Sequence, residues 1–112
     1  MTDRELLEAA ARSAGYIVVH LTQWGDAAVV HEPRSMSQIP FRWSPLNDDG
    51  DALRLAVKLR IEVEPWIHGD SACARAAIRE ILIDEPHYGD DPGRATRRCI
   101  VRAAAAIGQE KA

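Results

Sequence analysis

The sequence contains few cysteines and no long apolar run, and each scarcity excludes a class of protein. Cys73 and Cys99 are the two cysteines, and their separation rules out a Cys-x-x-Cys redox or zinc motif. No stretch approaches the ~20 apolar residues that a membrane-spanning helix requires. The start, Met1-Thr2-Asp3-Arg4-Glu5, lacks the basic and then apolar pattern of a secretory signal. These absences predict a cytoplasmic protein that does not enter a membrane and whose two cysteines are small buried side chains.

Neither sign of charge is in large excess. The chain has 14 Lys+Arg and 17 Asp+Glu, a formal net charge of −3. This balance excludes a protein that coats nucleic acid through its overall charge, although a local basic patch is still compatible with it. A hydrophobic content of 46% over 112 residues is enough for one core, so we expect a single domain, residues 1–112.

Sequence motifs of catalysis are also missing. There is no Gly-x-Ser-x-Gly elbow, no phosphate-binding Gly-Lys-Ser/Thr loop and no Gly-x-Gly-x-x-Gly turn. The histidines have no metal-binding spacing; they are His20, His31, His68 and His87. The sequence therefore predicts a protein that is not an enzyme, with no catalytic residue, no metal and no cofactor.

The acidic run Asn47-Asp48-Asp49-Gly50-Asp51 resembles a cation loop. As a calcium-binding loop it fails, because its first and last ligand positions would fall on Pro45 and Ala56. Short acidic side chains also cap helix N-termini, and we interpret the run in that way. A weak divalent-ion site at Asp48–Asp51 is the alternative.

Three segments have helical patterns. A capping box at Thr2 and Glu5 precedes a helix that we expect to end at Gly15. The second helix follows the acidic run and covers Ala52–Leu59. The third begins at Asp91-Pro92, a capping carboxylate before a proline at the first helical position, and continues to about Ile107-Gly108.

The other segments favour strands. Tyr16–Leu21 is rich in β-branched residues and can pair with Ala27–Val30 across a turn, and Ile61–Glu64 alternates with period two. Pro65 limits that strand to an edge or to its end. Ala72–Ile83 is ambiguous between helix and strand, and we interpret it as extended and paired with Ile61–Ile67. The prediction is an α+β fold with a small antiparallel sheet of three to four strands and about three helices, in the order α-β-β-α-β-β-α.

Two groups of side chains are candidates for binding. The arginines of the last helix fall on one side of a helical wheel; they are Arg94, Arg97, Arg98 and Arg102. They form either a solvated face that balances carboxylates elsewhere or a surface that binds phosphate or an acidic partner. The second group, Phe41, Arg42 and Trp43, follows the irregular loop His31–Pro40. It forms either a binding surface or part of the core.

The segment from Trp43-Ser44-Pro45-Leu46 through the acidic run to Leu59, with Ala95 to Ala106 near the end, resembles a family of small phage proteins. These are uncharacterised proteins of bacteriophages and prophages, some of them labelled NinX-like. The resemblance covers the second half of the chain and, more loosely, the opening helix. It implies an origin in a phage or prophage and brings no catalytic or binding residue with it.

These observations support a phage or prophage accessory protein that acts by binding, with an unknown host or phage protein as partner. The alternative is a nucleic-acid-binding accessory in phage replication or recombination that uses the arginine face. A third hypothesis is a small metal-dependent hydrolase using Asp48, Asp49 and Asp51 with a histidine. A homodimer through the Ala-rich last helix or through an edge strand is compatible with each of them.

Overall fold

A computed structural model of the protein describes residues 2–67, 69–76, 80–87 and 91–110. The described residues form three helices, α1 (Asp3–Ala14), α2 (Asp49–Leu59) and α3 (Pro92–Glu110). They also form six strands: β1 (Ile17–Leu21), β2 (Ala28–His31), β3 (Phe41–Trp43), β4 (Ile61–Ile67), β5 (Ser71–Ala76) and β6 (Ile81–Pro86).

The first helix has the boundaries that its sequence predicts. The Thr2 side chain accepts a hydrogen bond from the Glu5 backbone N–H, and the Glu5 carboxylate accepts one from the Thr2 backbone N–H. The Thr2 backbone N–H and the Thr2 hydroxyl both donate to the Glu5 carboxylate and hold its pKa below the ordinary value, because they stabilise the charged form. Gly15 ends the helix in the left-handed conformation, with φ of 79°.

The first sheet is antiparallel, with the order β1-β2-β3. Its inner face contributes Ala28, Val30 and Trp43 to the core. The pairing of β1 with β2 shifts register between Val18 and His20. Loop residues 32–40 connect β2 to β3 and leave Met36 and Ile39 exposed.

The second sheet is also antiparallel, with the order β4-β5-β6, so β4 and β6 are its edge strands. Alternate residues of β5 are alanines that face the core: Ala72, Ala74 and Ala76. Alanine has almost no side chain, so α3 can approach this strand closely. The pairing of β4 with β5 shifts register between Glu64 and Ile67, around Pro65, which has no backbone N–H to donate.

The last helix, α3, lies at the centre of the molecule. It contacts α1, α2 and all three strands of the second sheet. The contact with α1 is the most extensive between any two elements, and small residues from both helices line it. Gly108 lies against the backbone carbonyl of Ala9, where an added Cβ would overlap that oxygen.

The α+β class and the antiparallel pairing agree with the sequence-based prediction. Within the segment Ala72–Ile83, Ala72–Ala76 is extended and pairs with β4 as expected, but Ile81–Ile83 belongs to a second strand, β6, which pairs with β5 and not with β4. Glu80 lies in the turn before β6, with φ of 54°, and residues 77–79 lie outside the described residues. The six strands are divided between two sheets, whereas the sequence predicts one sheet of three to four. The additional strands are β3, which has only three residues, and β6, which the sequence interpretation joins with β5 in one extended segment.

Candidate functional site

The arginines of α3 lie partly inside the molecule, and most of them have carboxylate partners. Arg97 donates to Asp49 at 2.7 Å and to the carbonyl of Leu46 at 3.0 Å. Arg98 donates to Asp3 at 2.9 Å. Arg94 has no side-chain partner among the described residues. The structure therefore uses most of this face for ion pairs within the chain.

The most enclosed of these pairs involves Glu85 on β6, which is buried. Arg102 donates to one of its carboxylate oxygens, and the Nε of Arg98 lies 3.7 Å from the other. Arg102 also donates to the carbonyl of Asp84 at 3.2 Å. Two guanidinium groups thus compensate one buried carboxylate, which would be costly to bury alone.

The second candidate group, on β3, is divided between core and surface. Trp43 is 2% exposed, and its ring packs edge-on against Tyr16 with centroids 5.4 Å apart. Phe41 makes the same kind of contact with Tyr16 at 5.7 Å but stays partly exposed, and Arg42 is exposed. Lys58 lies over the Tyr16 ring, 4.7 Å from its centroid. Trp43 therefore stabilises the core, and the cluster leaves only Phe41 and Arg42 at the surface.

The acidic run spans the N-terminus of α2 and caps that helix. The Asp48 carboxylate accepts from the backbone N–H of Asp51 at 2.8 Å. The Asp51 carboxylate accepts from the Ser44 backbone N–H at 2.9 Å and from Arg54 at 2.7 Å. Among the described residues, no three His, Cys, Asp or Glu side chains are grouped so that they could hold a metal ion.

The two thiols are buried and unpaired. Burial raises the pKa of Cys99 to about 12, and the nearby Glu85 carboxylate adds to the shift. The pKa of the Cys73 thiol is also raised, mainly by burial. A thiol that stays protonated at neutral pH is a poor nucleophile and a poor metal ligand.

An apolar groove of about 450 Å³ lies between α2, β4 and the start of α3. Its apolar lining consists of Leu53, Val63, Pro65, Trp66, Pro92 and Ile100. The ion pair between Asp49 and Arg97 lies at its border; the Asp49 side chain is 84% exposed and that of Arg97 only 19%.

Trp66 is the most prominent side chain of this groove, since 62% of it is exposed. The ring of His87 packs edge-on against it, with centroids 4.6 Å apart. His87 is itself buried and hydrogen-bonded through Nε2 to the carbonyl of Pro65 at 2.7 Å. The indole is thus supported on one side, while much of its surface is open to solvent.

The sequence did not identify Trp66 as a binding residue. Its one signal is position, because Pro65 before it has no backbone N–H to donate and interrupts the pairing of β4 beside Trp66. His87 contributes only through the fold, since it lies 21 positions after Trp66 in the chain. Of the other histidines, His20 is exposed, His31 contacts Gln38 at 2.9 Å, and His68 lies outside the described residues.

No helix within the described ranges is long and apolar enough to cross a membrane. Comparison of the chain with protein-family models, with curated proteins and with solved structures finds no match.

Proposed function

We propose that this chain is an accessory protein of phage or prophage type that acts by binding another protein through the groove beside Trp66. The phage origin is supported by the sequence resemblance over Trp43–Leu59 and Ala95–Ala106. The binding role is supported by one structural observation, a large aromatic side chain that is mostly exposed above an apolar groove.

An exposed tryptophan in this position is costly in water and favourable in an interface. Burying it in a complex contributes about 2 kcal/mol or more, and tryptophan is enriched among the residues that dominate binding energy. His87 already holds the indole in place, so little side-chain entropy would be lost on binding. The groove is therefore a preformed surface for an apolar group of the partner.

The charges around the groove indicate the chemistry of the partner. Asp49 is exposed at its border, whereas Arg97 is mostly covered and already paired with Asp49. We expect a partner segment that inserts an apolar side chain and carries positive charge beside it. Pro65 and the register shift around it interrupt the edge of β4, so side-chain docking is favoured over strand addition.

The alternative, nucleic-acid binding through the arginine face, has weaker support. Arg97, Arg98 and Arg102 each have a carboxylate partner within the chain, so phosphate would have to compete with these ion pairs. Arg94 is the exception among the four. Trp66 and the arginine face also point to different ligands, because the one cation among the described residues that line the groove, Arg97, is mostly covered.

The test is capture of partners from a bacterial host lysate, with the wild-type chain and two variants as bait. Trp66→Ala removes the exposed indole of the groove. Trp24→Ala is the matched control, because Trp24 is 81% exposed and lies in the β1–β2 turn, away from the groove. Captured proteins are then purified, and their affinities for the three baits are measured by titration.

We expect a partner whose affinity falls by at least about tenfold for Trp66→Ala and changes little for Trp24→Ala, since about 1.4 kcal/mol corresponds to tenfold. Equal affinity for all three baits would contradict the proposal, and so would a lysate in which no captured protein depends on Trp66.

A further inference from the structure

The outer face of α2 presents two apolar side chains to solvent. Leu53 is 62% exposed and Val57 is 71% exposed. They are four residues apart, so they lie on the same side of the helix, about 6 Å apart along its axis. The buried side of α2, formed by Ala52, Leu55 and Ala56, already faces the core. The exposed pair is thus not required for packing within the chain.

The ends of the same face have opposite charges. Asp49, at the start of α2, uses its Oδ1 for Arg97, and its Oδ2 has no hydrogen bond within the described part of the chain. Arg60, the residue that ends the helix in the left-handed conformation, has an exposed side chain without an ion pair in the described ranges. Arg54, beside the face, is compensated by Asp48 and Asp51.

We propose that two copies of this chain form a dimer by packing their α2 helices antiparallel, through Leu53 and Val57. In that arrangement a two-fold axis passes close to the level of residue 55. Leu53 of one copy then lies opposite Val57 of the other, and Asp49 lies within about one residue of the level of Arg60 of the other copy.

A second copy is the partner that fits this face because its pattern is self-complementary. Reversing the helix direction places the acidic end against the basic end at both sides of the apolar pair, as a two-fold contact requires. A parallel arrangement would bring like charges together. Antiparallel packing also opposes the two helix dipoles, which is the favourable orientation.

This dimer goes beyond the proposed function and is centred on α2 rather than on Trp66, although Asp49 and Leu53 border both surfaces. The groove beside Trp66 and the exposed pair Leu53 and Val57 on α2 can still be tested by separate variants. Val57→Ser changes only the exposed pair, and Trp66→Ala changes only the groove.

The experiment is sedimentation velocity of the purified chain from about 10 µM to about 1 mM, a range that covers weak dimers. We expect the mass to rise from 12.4 kDa towards twice that value with concentration. Val57→Ser should weaken the dimer by at least about tenfold, because both copies lose a buried apolar group. Trp66→Ala should dimerise like the wild type.

The charge arrangement is tested at Arg60. Arg60→Asp should weaken the dimer, whereas Arg60→Lys should retain it; aspartate is among the residues that tolerate the left-handed conformation. Dimerisation should also weaken as salt increases. A constant monomer mass over the whole range would overturn the proposal. A dimer that survives Val57→Ser, or one that is lost in Trp66→Ala, would also overturn it, since the contact would then lie elsewhere.

Discussion

At the residue scale, the environment of Cys99 determines how this thiol ionises. Cys99 lies on the buried side of α3, where water cannot solvate a thiolate. Its pKa is raised to about 12, from an ordinary value of 9.0 in the unfolded chain. A cysteine among alanines in an amphipathic helix predicts burial, which is the main cause of this shift; the smaller contribution of Glu85 comes from another element and has no local signal.

This shift predicts a loss of stability in alkali. Below pH 9 the thiol is protonated in both states and its contribution is fully present. Between pH 9 and about 12 the unfolded state releases the proton and the folded state keeps it, so the free energy of unfolding falls with pH. The contribution is at most about 1.4 kcal/mol per pH unit. Urea unfolding of the wild type and Cys99→Ala across this range measures it.

Other groups that ionise in alkali, such as tyrosine and lysine, are present in both proteins. The difference between the pH profiles of the wild type and Cys99→Ala therefore isolates the effect of the thiol. The variant should be less stable at neutral pH because a cavity forms, but its stability should decline less steeply above pH 9. Parallel pH profiles for the two proteins would contradict the assignment to Cys99.

At the scale of elements, the contact between α1 and α3 depends on small residues. Gly108 lies in the last turn of α3, where a helix pattern by itself predicts a C-terminal glycine that simply ends the helix. In the structure the helix continues to Glu110, and Gly108 allows the backbone of α1 to approach. Its requirement for glycine is thus a matter of packing and not of backbone conformation.

Gly108→Ala should destabilise the protein by about 2 kcal/mol or more, because its Cβ would overlap the carbonyl oxygen of Ala9 and force the helices apart. Gly93→Ala is the matched control. Gly93 is exposed in the first turn of α3, where a Cβ would meet the flexible end of Arg97 at 3.2 Å and the Asp91 carboxylate at an ordinary contact distance of 3.8 Å. Chemical denaturation compares the two; equal stability of both variants would show that α1 and α3 are not in close contact at Gly108.

The strands show where local patterns suffice and where they do not. The alternation of Ile61–Glu64 predicts β4, and Pro65 predicts that it lies at an edge, as it does. The three residues of β3 carry no such pattern, and they become a strand because β2 provides a hydrogen-bonding neighbour. The second sheet packs against α3, which contacts all three of its strands, and the division of the strands into two sheets has no local signal.

At the scale of the whole molecule, Arg98 connects three elements that are distant in the chain. From α3 it reaches Asp3 at the start of α1 and Glu85 on β6. The same residue was a candidate for phosphate binding by its place on the helical wheel, since arginine recognises phosphate and carboxylate with the same donors. In the folded protein both ion-pair partners of Arg98 are carboxylates, those of Asp3 and Glu85.

Arg98→Met should lower the free energy of unfolding by about 1–3 kcal/mol, because Glu85 would remain buried with one cation fewer. Arg94→Met, on the same helix and without a partner among the described residues, should change it by less than about 0.5 kcal/mol. A double-mutant cycle of Arg98→Met with Glu85→Gln measures the coupling. Zero coupling, or equal effects at both arginines, would exclude a structural role for the Arg98–Glu85 pair.

The sequence by itself determined the features that depend on neighbours in the chain. These are the capping box of α1, the end of that helix at Gly15, the acidic cap of α2 and the amphipathic character of α3. Each follows from hydrogen bonds or side-chain spacing within one or two helical turns. The α+β class follows from the order of the predicted helices and strands along the chain.

The tertiary structure decided which side chains reach the surface. Both Trp43 and Trp66 lie within two residues of a proline, at the end of β3 and in β4 respectively. Trp43 nevertheless packs in the core, whereas Trp66 is exposed at a groove. The arginine face likewise became a set of ion pairs only when α1, α2 and β6 brought carboxylates to it. Burial and charge compensation arise between elements far apart in sequence, so only the packing of those elements could decide them.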